Sequence, residues 1–350
     1  MKILVIYQLC SFGGVERVLL NRAKTFRKYH QNVKISVGYL HDYGALASFQ
    51  AYIHINKLDE YLSAFLIEQE TFPDMNQYDF VFNIDTPHVF AQTHHARNIF
   101  VECHTSIVQN RQYLRALPKN VRGLLVPSNS FKSILKEEFE LLPPISVLPN
   151  PVTEEFFDIS VATEDRIYSA IPLAYLARLD DELKNFSETA RIFELFANDR
   201  NIMFAIVGRG AEDANLLHDL EDKMMIGKTF LRSQIDFDAV ADFVKIIKSH
   251  RGILVSSSRA ESFGLSAAEF ISAGVPVLLS NIGSHAELVD GDDKFLYPVG
   301  EIQLARDKIT KLLHQWDEAS QAVKSYGEKF SGASFIRAWQ GFLKAQANVQ

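Results

Sequence analysis

Short apolar runs alternate with longer amphipathic stretches along most of this chain. Runs of about four to eight apolar residues bounded by turn residues are typical of buried β-strands, whereas apolar positions that repeat every 3.6 residues are typical of helices. The runs predict strands at residues 2–7, 33–40, 52–55, 80–84, 98–102, 123–127, 145–148, 171–177, 201–207, 252–256, 277–280 and 295–299. Strands separated by helices favour an α/β protein with parallel sheets.

Apolar residues recur with the period of a helix in five stretches, whereas one long stretch between the two halves of the chain has no period. The predicted helices are residues 15–28, 187–196, 265–273, 302–329 and 334–347. The apolar face of the last helix consists of Phe335, Ala338, Trp339 and Phe342. Residues 153–169 mix acidic, aromatic and small residues without a period, which is typical of a linker between domains.

The length and composition fit a globular protein with two domains. A chain of 350 residues, 47% of them hydrophobic, is long enough for two buried cores. No run reaches the roughly 18 apolar residues of a membrane span, and residues 1–7 fit a strand better than a secretory signal. Cys10 and Cys103 lack metal-ligand spacing, which favours a reducing compartment. We therefore expect a cytoplasmic protein, either free in the cytosol or at the inner face of the cytoplasmic membrane.

Charge is distributed unevenly between the two halves of the chain. Residues 1–150 carry a net charge of +2, whereas the remainder carries −9. In the segment 97–136 Glu102 is the only acidic residue. The basic residues of this segment are Arg97, Arg111, Arg115, Lys119, Arg122, Lys132 and Lys136. They form either a solvated face, which is the common case, or a surface that contacts an anionic membrane or an anionic lipid-linked acceptor.

The predicted helix 265–273 lacks a side-chain cap at its start and carries a single charged residue in its interior. It follows Phe263-Gly264-Leu265 without a side-chain cap, so its first N–H groups and about half a positive charge are available to an anion, most often a phosphate. Glu269 is the only charged residue in this otherwise apolar helix. A buried lone carboxylate is costly. The alternative is that Ser266, Glu269 and Ser272 form a thin solvated stripe.

The spacing of Glu261 and Glu269, with seven residues between them and Gly264 among these, resembles the E-x7-E motif of retaining GT-B glycosyltransferases, specifically glycosyltransferase family 4. The resemblance implies that Glu261 faces the hydroxyls of the donor sugar and that Glu269 holds the ribose of the nucleotide. It also implies that the amides of Phe263, Gly264 and Leu265 meet the diphosphate.

Two segments of the first half add to this resemblance. Gly13-Gly14-Val-Glu16-Arg follows the first predicted strand and resembles the first loop of family 4 enzymes, which shapes the cleft near the donor phosphate and the acceptor. Its paired glycines allow a positive φ and a close approach, although a plain strand-to-helix turn explains them as well. His104 directly follows a predicted strand and matches the active-site His of the family, whose side chain reaches the sugar; a structural hydrogen bond is the alternative.

Asn150, which closes the first half, matches a family Asn that lies near the cleft between the domains. In the second half Arg178 and Lys184 resemble the two cations that bind the donor diphosphate. Two unit charges and the partial charge of the helix end roughly neutralise about two negative charges, so no metal is required. Gly208 resembles the glycine turn beside the nucleotide base.

Other candidate groups are interpreted structurally. The acidic sequence at residues 290–293 has the spacing of a metal-binding loop, but its place between a helix and a strand favours a turn. His94 and His95 are interpreted as residues on a helix surface without a role.

The resemblance implies a GT-B fold, in which two doubly wound Rossmann-like α/β domains face a central cleft. The acceptor-binding domain is expected at residues 1–152, with the terminal helix 334–350 packing back on it, and the nucleotide-sugar domain at 153–333. The implied function is retaining transfer of a hexose or N-acetylhexosamine from a nucleotide sugar, preferably UDP-linked, to a glycan or lipid-linked glycan in bacterial surface polysaccharide synthesis. No cofactor, metal or nucleic acid is expected. A nucleotide-sugar epimerase or a non-catalytic binding protein of the same fold are the alternatives.

Overall fold

The computed structural model describes residues 1–11, 13–68, 71–162, 165–166, 168–211, 213–223 and 225–347. The chain divides into two units. The first unit consists of Met1–Thr153 together with the chain from Ser331 onward, and the second consists of Glu154–Phe330.

The first unit contains a parallel seven-stranded sheet. Its strands are β1 (Lys2–Cys10), β2 (Lys34–Asp42), β3 (Leu62–Leu66), β4 (Phe80–Ile84), β5 (Ile99–Glu102), β6 (Val121–Val126) and β7 (Ile145–Val147). The helices between them are α1 (Gly14–Lys28), α2 (Leu46–Ile55) and α3 (Asn129–Glu138). The strand order is β3-β2-β1-β4-β5-β6-β7, and in the central strand Ile3 is paired with both Ile35 and Phe80. The order in which the strands are added to the sheet therefore reverses between β1 and β4. Ligands bind at such a switch point, beyond the carboxyl ends of the strands.

The second unit repeats this design with a parallel six-stranded sheet. Its strands are β8 (Ile171–Leu176), β9 (Ile202–Val207), β10 (Thr229–Arg232), β11 (Ile253–Ser256), β12 (Val277–Ser280) and β13 (Leu296–Tyr297). Its helices are α4 (Glu154–Phe157), α5 (Phe186–Glu194), α6 (Ala214–Asp222), α7 (Ala239–Ser249), α8 (Leu265–Ser272), α9 (Gly283–Leu288), α10 (Ile302–His314) and α11 (Trp316–Gly327). The strand order is β10-β9-β8-β11-β12-β13, so the switch point of this sheet lies between β8 and β11. Short 3₁₀ segments lie in the first unit at Met75–Gln77, Pro87–Val89 and Gln109–Ala116, and in the second at Ile226–Lys228, Asp293–Phe295 and Glu328–Phe330.

The last helix, α12 (Gly332–Ala347), belongs to the first unit. Phe335, Trp339 and Phe342 of the predicted apolar face are buried, and Ala338 is half-buried. The ring of Phe335 lies 5.5 Å from that of Phe26, and the ring of Trp339 lies 5.6 Å from it. Phe342 lies 5.5 Å from Phe80. Residues 348–350 of the predicted helix lie outside the described residues.

Two doubly wound α/β units are thus present as predicted, but some elements differ from the prediction. The predicted strand 52–55 is the end of α2, whose buried residues Phe49 and Ile53 stand four apart, as on a helix face. The true strand β3 was missed. The predicted helix 302–329 is two helices that meet at Gln315, where φ is −109°. His94 and His95 lie on an exposed turn rather than on a helix, although they are indeed surface residues.

The described helices were also compared with the requirements of a transmembrane segment. Within the ranges given above, every helix falls short of the length and apolar character needed to cross a bilayer.

Candidate active site

The loops after β8 and β11 carry the central contact of the second unit. These strands are neighbours in the sheet, so their carboxyl-terminal loops lie side by side. The Lys184 Nζ donates to Glu261 Oε1 at 2.5 Å, and the Ser258 hydroxyl donates to the same oxygen at 2.9 Å. The side chains of Lys184 and Glu261 are 18% and 16% exposed. The sequence-predicted cation and the first Glu of the motif therefore form a partly accessible ion pair.

The surroundings of Glu261 keep its carboxylate ionised. Burial raises the pKa of Glu261, but the positive charge of Lys184 and the hydrogen bonds from Lys184 and Ser258 outweigh burial, and the net pKa lies below its usual value. An ionised carboxylate accepts hydrogen bonds and donates none. Glu261 is thus suited to accept hydrogen bonds from hydroxyl groups.

Helix α8 begins without a side-chain cap, as predicted. Its cap residue Gly264 has a φ of +94°, and an added Cβ would lie 3.2 Å from the Leu288 Cδ1 and 3.5 Å from the His285 Cδ2. Glycine is required by this left-handed backbone. Because the first bond of the helix runs from the Ala268 N–H to the Gly264 carbonyl at 3.0 Å, the preceding amides at residues 265–267 have no acceptor within the helix. The donors at the helix start are thus two positions further along the chain than residues 263–265, which the sequence indicated.

The interior of α8 excludes the solvated-stripe alternative. Glu269 and Ser272 are both buried, and the Ser272 hydroxyl donates to the Ala268 carbonyl at 2.8 Å. Glu269 is therefore not a surface carboxylate. Its predicted contact with a ribose stays a prediction.

His285 lies beside the start of α8 and was missed by sequence reasoning. It is buried, and its Nδ1 lies 3.0 Å from the Ser280 hydroxyl and 3.1 Å from the Ser280 carbonyl. Burial lowers the pKa of His285, so the imidazole is neutral near pH 7. The available signal was position, since this His follows β12 closely and so stands at the same edge of the sheet as Glu261.

Arg178 and Asp180 lie on the loop after β8, which also carries Lys184. The Arg178 side chain is 55% exposed, and its Nε lies 3.5 Å from the Asp180 Oδ2. The Asp180 Oδ1 accepts from the amides of Leu183 and Lys184 at 2.9 and 3.1 Å. Each of the two predicted cations thus already faces a carboxylate, which the sequence-based charge count did not include. Their predicted contact with a diphosphate stays a prediction.

A buried hydrogen-bond network supports the loop that carries Lys184. The Glu188 carboxylate accepts from the Asn185 side chain at 2.8 Å and from the Gly300 amide at 3.0 Å. The Tyr297 hydroxyl lies 3.1 Å from the same carboxylate and 2.7 Å from the Ser257 hydroxyl. The network joins the loops after β8, β11 and β13, and so fixes the distance across which Lys184 and Glu261 meet.

Gly208 has a structural explanation in the same unit. A Cβ at this position would lie 1.6 Å from the Ala177 carbonyl oxygen, which no side chain tolerates. The glycine therefore allows the loops after β8 and β9 to approach each other. Its predicted place beside a nucleotide base stays a prediction.

In the first unit, Gly13 and Gly14 lie between β1 and α1. Gly13 has a φ of −107°, and Gly14 is not among the described glycines with a positive φ, so the paired glycines do not use the left-handed backbone that they allow, in agreement with the plain strand-to-helix turn. The turn is closed by one half of a capping box: the Gly13 amide donates to the Glu16 Oε2 at 2.6 Å, and glycine has no side chain to return a bond to the helix. Glu16 is fully buried, and burial raises its pKa. Its predicted role toward an acceptor stays a prediction.

His104 lies at the carboxyl end of β5, as predicted. Its Nε2 is 2.7 Å from the Glu102 Oε1, and its side chain is 13% exposed. Asn150 is buried at the end of the first unit, and its side-chain Oδ1 has no hydrogen-bond partner among the described residues. The predicted sugar contact of His104 and the predicted position of Asn150 near a cleft stay predictions.

The acidic loop after α9 adopts a turn, in agreement with the structural interpretation. Asp290 and Gly291 both have positive φ values, of 52° and 74°. Asp290 pairs with Lys329 at 2.6 Å, whereas the Asp292 side chain accepts from a backbone amide two residues further on. These are the conformations and contacts of turn residues.

Part of the basic segment 97–136 is not available to a membrane. Arg111 is buried and pairs with Glu138 at 2.7 Å, just beyond the segment in which its charge was counted. The Arg115 guanidinium lies 5.0 Å from the ring centre of Phe139. The solvated or lipid-facing charge of this segment is therefore smaller than the sequence indicated.

Comparison with known proteins finds one family match, which lies in the second unit. Residues 166–330 match the family described as Glycosyl transferases group 1. The chain is 28% identical over 209 residues to sucrose synthase of Melioribacter roseus, which covers 51% of this chain and 26% of that protein. It is 24% identical over 191 residues to poly(glycerol-phosphate) alpha-glucosyltransferase of Bacillus subtilis, which covers 52% of this chain and 27% of that protein. The chain thus spans only about a quarter of the length of these relatives.

Solved structures resemble the whole chain. HepE of Anabaena, crystallised with UDP and glucose, has a TM-score of 0.75 and 18% identity, covering 99% of this chain and 100% of that one. A variant of TarM of S. aureus, crystallised with fondaparinux, alpha-GlcNAc-glycerol and UDP, has a TM-score of 0.75 and 14% identity, covering 97% and 99%. The fold is GT-B. The fold class expected from the E-x7-E resemblance is thus confirmed.

Within the second unit of this GT-B fold, the structure gathers Lys184, Glu261, Gly264 and the missed His285 at one edge of the sheet. In the first unit, His104 contacts Glu102, and Glu102 in turn contacts Arg22. The sequence did not single out Arg22 or Glu102 as site residues.

Proposed function

We propose that this chain is a retaining glycosyltransferase of the E-x7-E type. It transfers a hexose or N-acetylhexosamine from a nucleotide sugar, preferably UDP-linked, to a hydroxyl of a glycan or lipid-linked glycan of a bacterial surface polysaccharide. The observation that carries the proposal is the convergence of Lys184, Glu261 and the uncapped start of α8 at the carboxyl edge of one sheet. The crystallised complexes of HepE with UDP-glucose and of TarM with UDP support a UDP-linked donor.

Charge development in the reaction accounts for these residues. As the bond to the leaving phosphate lengthens, negative charge grows on the diphosphate, and preorganised donors aimed at that charge lower the barrier. Lys184, Arg178 and the amides at residues 265–267 are the proposed donors. Glu269 is the proposed partner of the ribose, and Gly208 lies beside the base in this proposal.

The ion pair of Lys184 and Glu261 couples the two ends of the donor. A diphosphate that attracts the Lys184 ammonium competes with the Glu261 carboxylate for it, and a sugar hydroxyl that donates to Glu261 replaces the bond that the lysine gives up. The donor as a whole is therefore bound better than either half alone, since each half compensates a charge that the other exposes.

Retention follows from reaction on one face of the sugar. No side chain of the described site is placed here as an enzymatic nucleophile, and the leaving phosphate assists deprotonation of the acceptor hydroxyl in this proposal. In this proposal the positive potential at the leaving diphosphate comes from Lys184, Arg178 and the helix start without a metal ion, and Lys184 becomes available to the diphosphate when a sugar hydroxyl takes its place at Glu261.

Thermal-shift measurements with UDP, UDP-glucose, UDP-N-acetylglucosamine and GDP-mannose test the donor, because a ligand that binds only the folded state raises the unfolding temperature. Transfer of labelled sugar to an acceptor, with the anomeric configuration read by NMR, tests the reaction. We expect Lys184→Ala to lower kcat far more than donor affinity, with Lys184→Arg as the matched control. Equal turnover in K184A removes the proposed role of Lys184.

The epimerase and the non-catalytic alternatives give different results in the same assay. An epimerase returns the label as an isomeric nucleotide sugar without any acceptor product. A binding protein shows a thermal shift and no turnover. The retained charges at Arg178, Lys184, Glu261 and Glu269 favour the transferase over the binding protein.

The place of action is a separate part of the proposal. We infer action in the cytoplasm, at the inner face of the membrane if the acceptor is lipid-linked, with the exposed part of the basic segment 97–136 as the contact. Sedimentation with anionic liposomes at low salt tests this contact, and absence of binding removes it without affecting the transferase assignment.

A further inference from the structure

A buried ion pair lies directly behind His104 in the first unit. The Arg22 guanidinium grips both carboxylate oxygens of Glu102, with its two terminal nitrogens 3.0 Å from Oε2 and 2.5 Å from Oε1. The two side chains are only 3% and 2% exposed. A bidentate contact of this kind fixes the plane of the carboxylate as well as its distance.

The His104 ring is held by the same carboxylate. Its Nε2 lies 2.7 Å from the Glu102 Oε1, the oxygen that also accepts from Arg22. The backbone is held independently, since the amides of His104 and Thr105 donate to the Asp85 Oδ2 at 2.7 and 2.8 Å. Among the described residues, the His104 Nδ1 makes no hydrogen bond. One ring nitrogen is therefore fixed inward and the other is left available.

The charge state of Glu102 determines which nitrogen carries the proton. Burial raises the pKa of Glu102, but the positive charge of Arg22 and the hydrogen bonds from Arg22 and the His104 ring outweigh burial and bring the pKa well below its usual range. An ionised carboxylate only accepts hydrogen bonds, so the nitrogen facing it must be the protonated one. In the neutral imidazole the other nitrogen then carries a lone pair and accepts a hydrogen bond.

We propose that Glu102, locked by Arg22, is a positioning residue that holds His104 in the Nε2–H tautomer and so presents its Nδ1 as an acceptor to a hydroxyl of the carbohydrate substrate. The tautomer depends only on the contacts inside the first unit. The hydroxyl as partner rests on the proposed function.

The tautomer is tested on the full chain without any substrate. In a protein labelled with ¹⁵N-histidine, long-range ¹H–¹⁵N spectra distinguish a protonated from a bare ring nitrogen, and the signals missing in His104→Gln belong to His104. We record the spectra at a pH at which the ring is neutral, and in that form we expect an unprotonated Nδ1 and a protonated Nε2. A neutral ring that carries its proton on Nδ1 overturns the proposal.

The part played by Glu102 is tested by Glu102→Gln. Its amide offers a donor as well as an acceptor, so we expect the Nε2–H tautomer of His104 to lose its dominance. An unchanged tautomer means that Glu102 does not position the ring. If E102Q does not fold, Glu102→Asp retracts the carboxylate by one methylene group, and there too an unchanged fraction of the Nε2–H tautomer counts against the proposal.

A pair of His104 variants tests which nitrogen meets the substrate. His104→Asn keeps a side-chain oxygen near the position of Nδ1, whereas His104→Gln keeps a polar group near the position of Nε2. We expect kcat/KM to fall about tenfold in H104Q, the scale of one lost hydrogen bond, and by less in H104N. A larger loss in H104N than in H104Q overturns the assignment to Nδ1. If the wild-type chain transfers no sugar, the proposed function fails, while the NMR result still decides the tautomer.

Discussion

Each unit of the molecule contains a glutamate paired with a cation beside a histidine, and the two pairs are built differently. Arg22 contacts both oxygens of Glu102, and this pair is almost completely buried. Lys184 contacts a single oxygen of Glu261, and this pair remains partly exposed. An arginine fork is rigid and directional, whereas a lysine ammonium is a mobile point charge. The first pair is therefore suited to hold a neighbour in place, and the second to exchange partners.

The oxygens of the two carboxylates show the same difference. Both oxygens of Glu102 accept from Arg22, and one of them also meets His104. The hydrogen bonds that the described residues donate to Glu261 end on Oε1 alone. Glu261 thus keeps an oxygen for a ligand, while Glu102 is committed to the protein. The two ion pairs therefore have different roles: the Arg22–Glu102 pair is a scaffold for its neighbours, and the Lys184–Glu261 pair is the working site.

The largest effect is expected when the buried pair is broken. Arg22→Met leaves the Glu102 carboxylate without its cation, and removing one partner of a buried ion pair costs about 3–5 kcal/mol. The chain has two tryptophans, Trp339 in the first unit and Trp316 in the second. In a Trp316→Phe background, urea unfolding followed by Trp339 fluorescence reports the first unit.

The matched control for this experiment removes both charges. The double variant R22M/E102L replaces the ion pair by apolar side chains, which is often nearly neutral, so it should be more stable than R22M alone. A loss below about 1 kcal/mol in R22M would mean that the pair behaves like a surface contact.

A smaller effect is expected when the partly exposed pair is broken. Lys184→Met removes a single hydrogen bond from Glu261, and water reaches this carboxylate, so we expect a loss of about 1 kcal/mol. Trp316 fluorescence in a Trp339→Phe background reports the second unit, because the Trp316 indole donates to the Gly252 carbonyl at 2.9 Å. K184R is the control that keeps the charge. A loss as large as that of R22M would contradict the division into scaffold and working site.

The smallest effect is a difference in pH dependence at His285. Burial lowers the pKa of this imidazole, and Glu261 and the Ser280 carbonyl offset this only in part. The unfolded chain therefore takes up the proton first, so the stability contributed by His285 is complete above its unfolded pKa of about 6.5 and is lost as the pH falls below that value.

His285→Asn keeps a donor toward the Ser280 carbonyl but does not titrate. We expect the urea midpoint reported by Trp316 to fall less between about pH 7.5 and 5.5 in H285N than in the wild type. His218, whose side chain is 75% exposed, is the control position, and H218N should leave the pH dependence unchanged. Identical pH profiles for H285N and the wild type would remove His285 as the titrating group.

The sequence was informative where a local pattern determines the structure. The strands on either side of α8 are continuous apolar runs, and Gly264 marks the uncapped helix start by its own conformational preference. Residues 52–55 were misassigned because a four-residue apolar run fits a strand and one turn of helix equally well.

The missed site residues share a different cause. Arg22 and Glu102 are 80 positions apart, and only the pairing of the strands and the packing of α1 bring them into contact. Arg22 was one basic residue among several in a helix, and Glu102 was counted as the single acid of a basic segment. Their role depends on contact across the sheet, which no local spacing encodes.

The return of α12 to the first unit has a consequence for synthesis of the chain. When the ribosome has released residues 1–153, the sheet of the first unit still lacks the aromatic side chains of Phe335, Trp339 and Phe342 that cover Phe26 and Phe80. The nascent first unit therefore exposes an apolar surface throughout translation of the second. That surface is a natural place for a chaperone to bind until the final helix emerges.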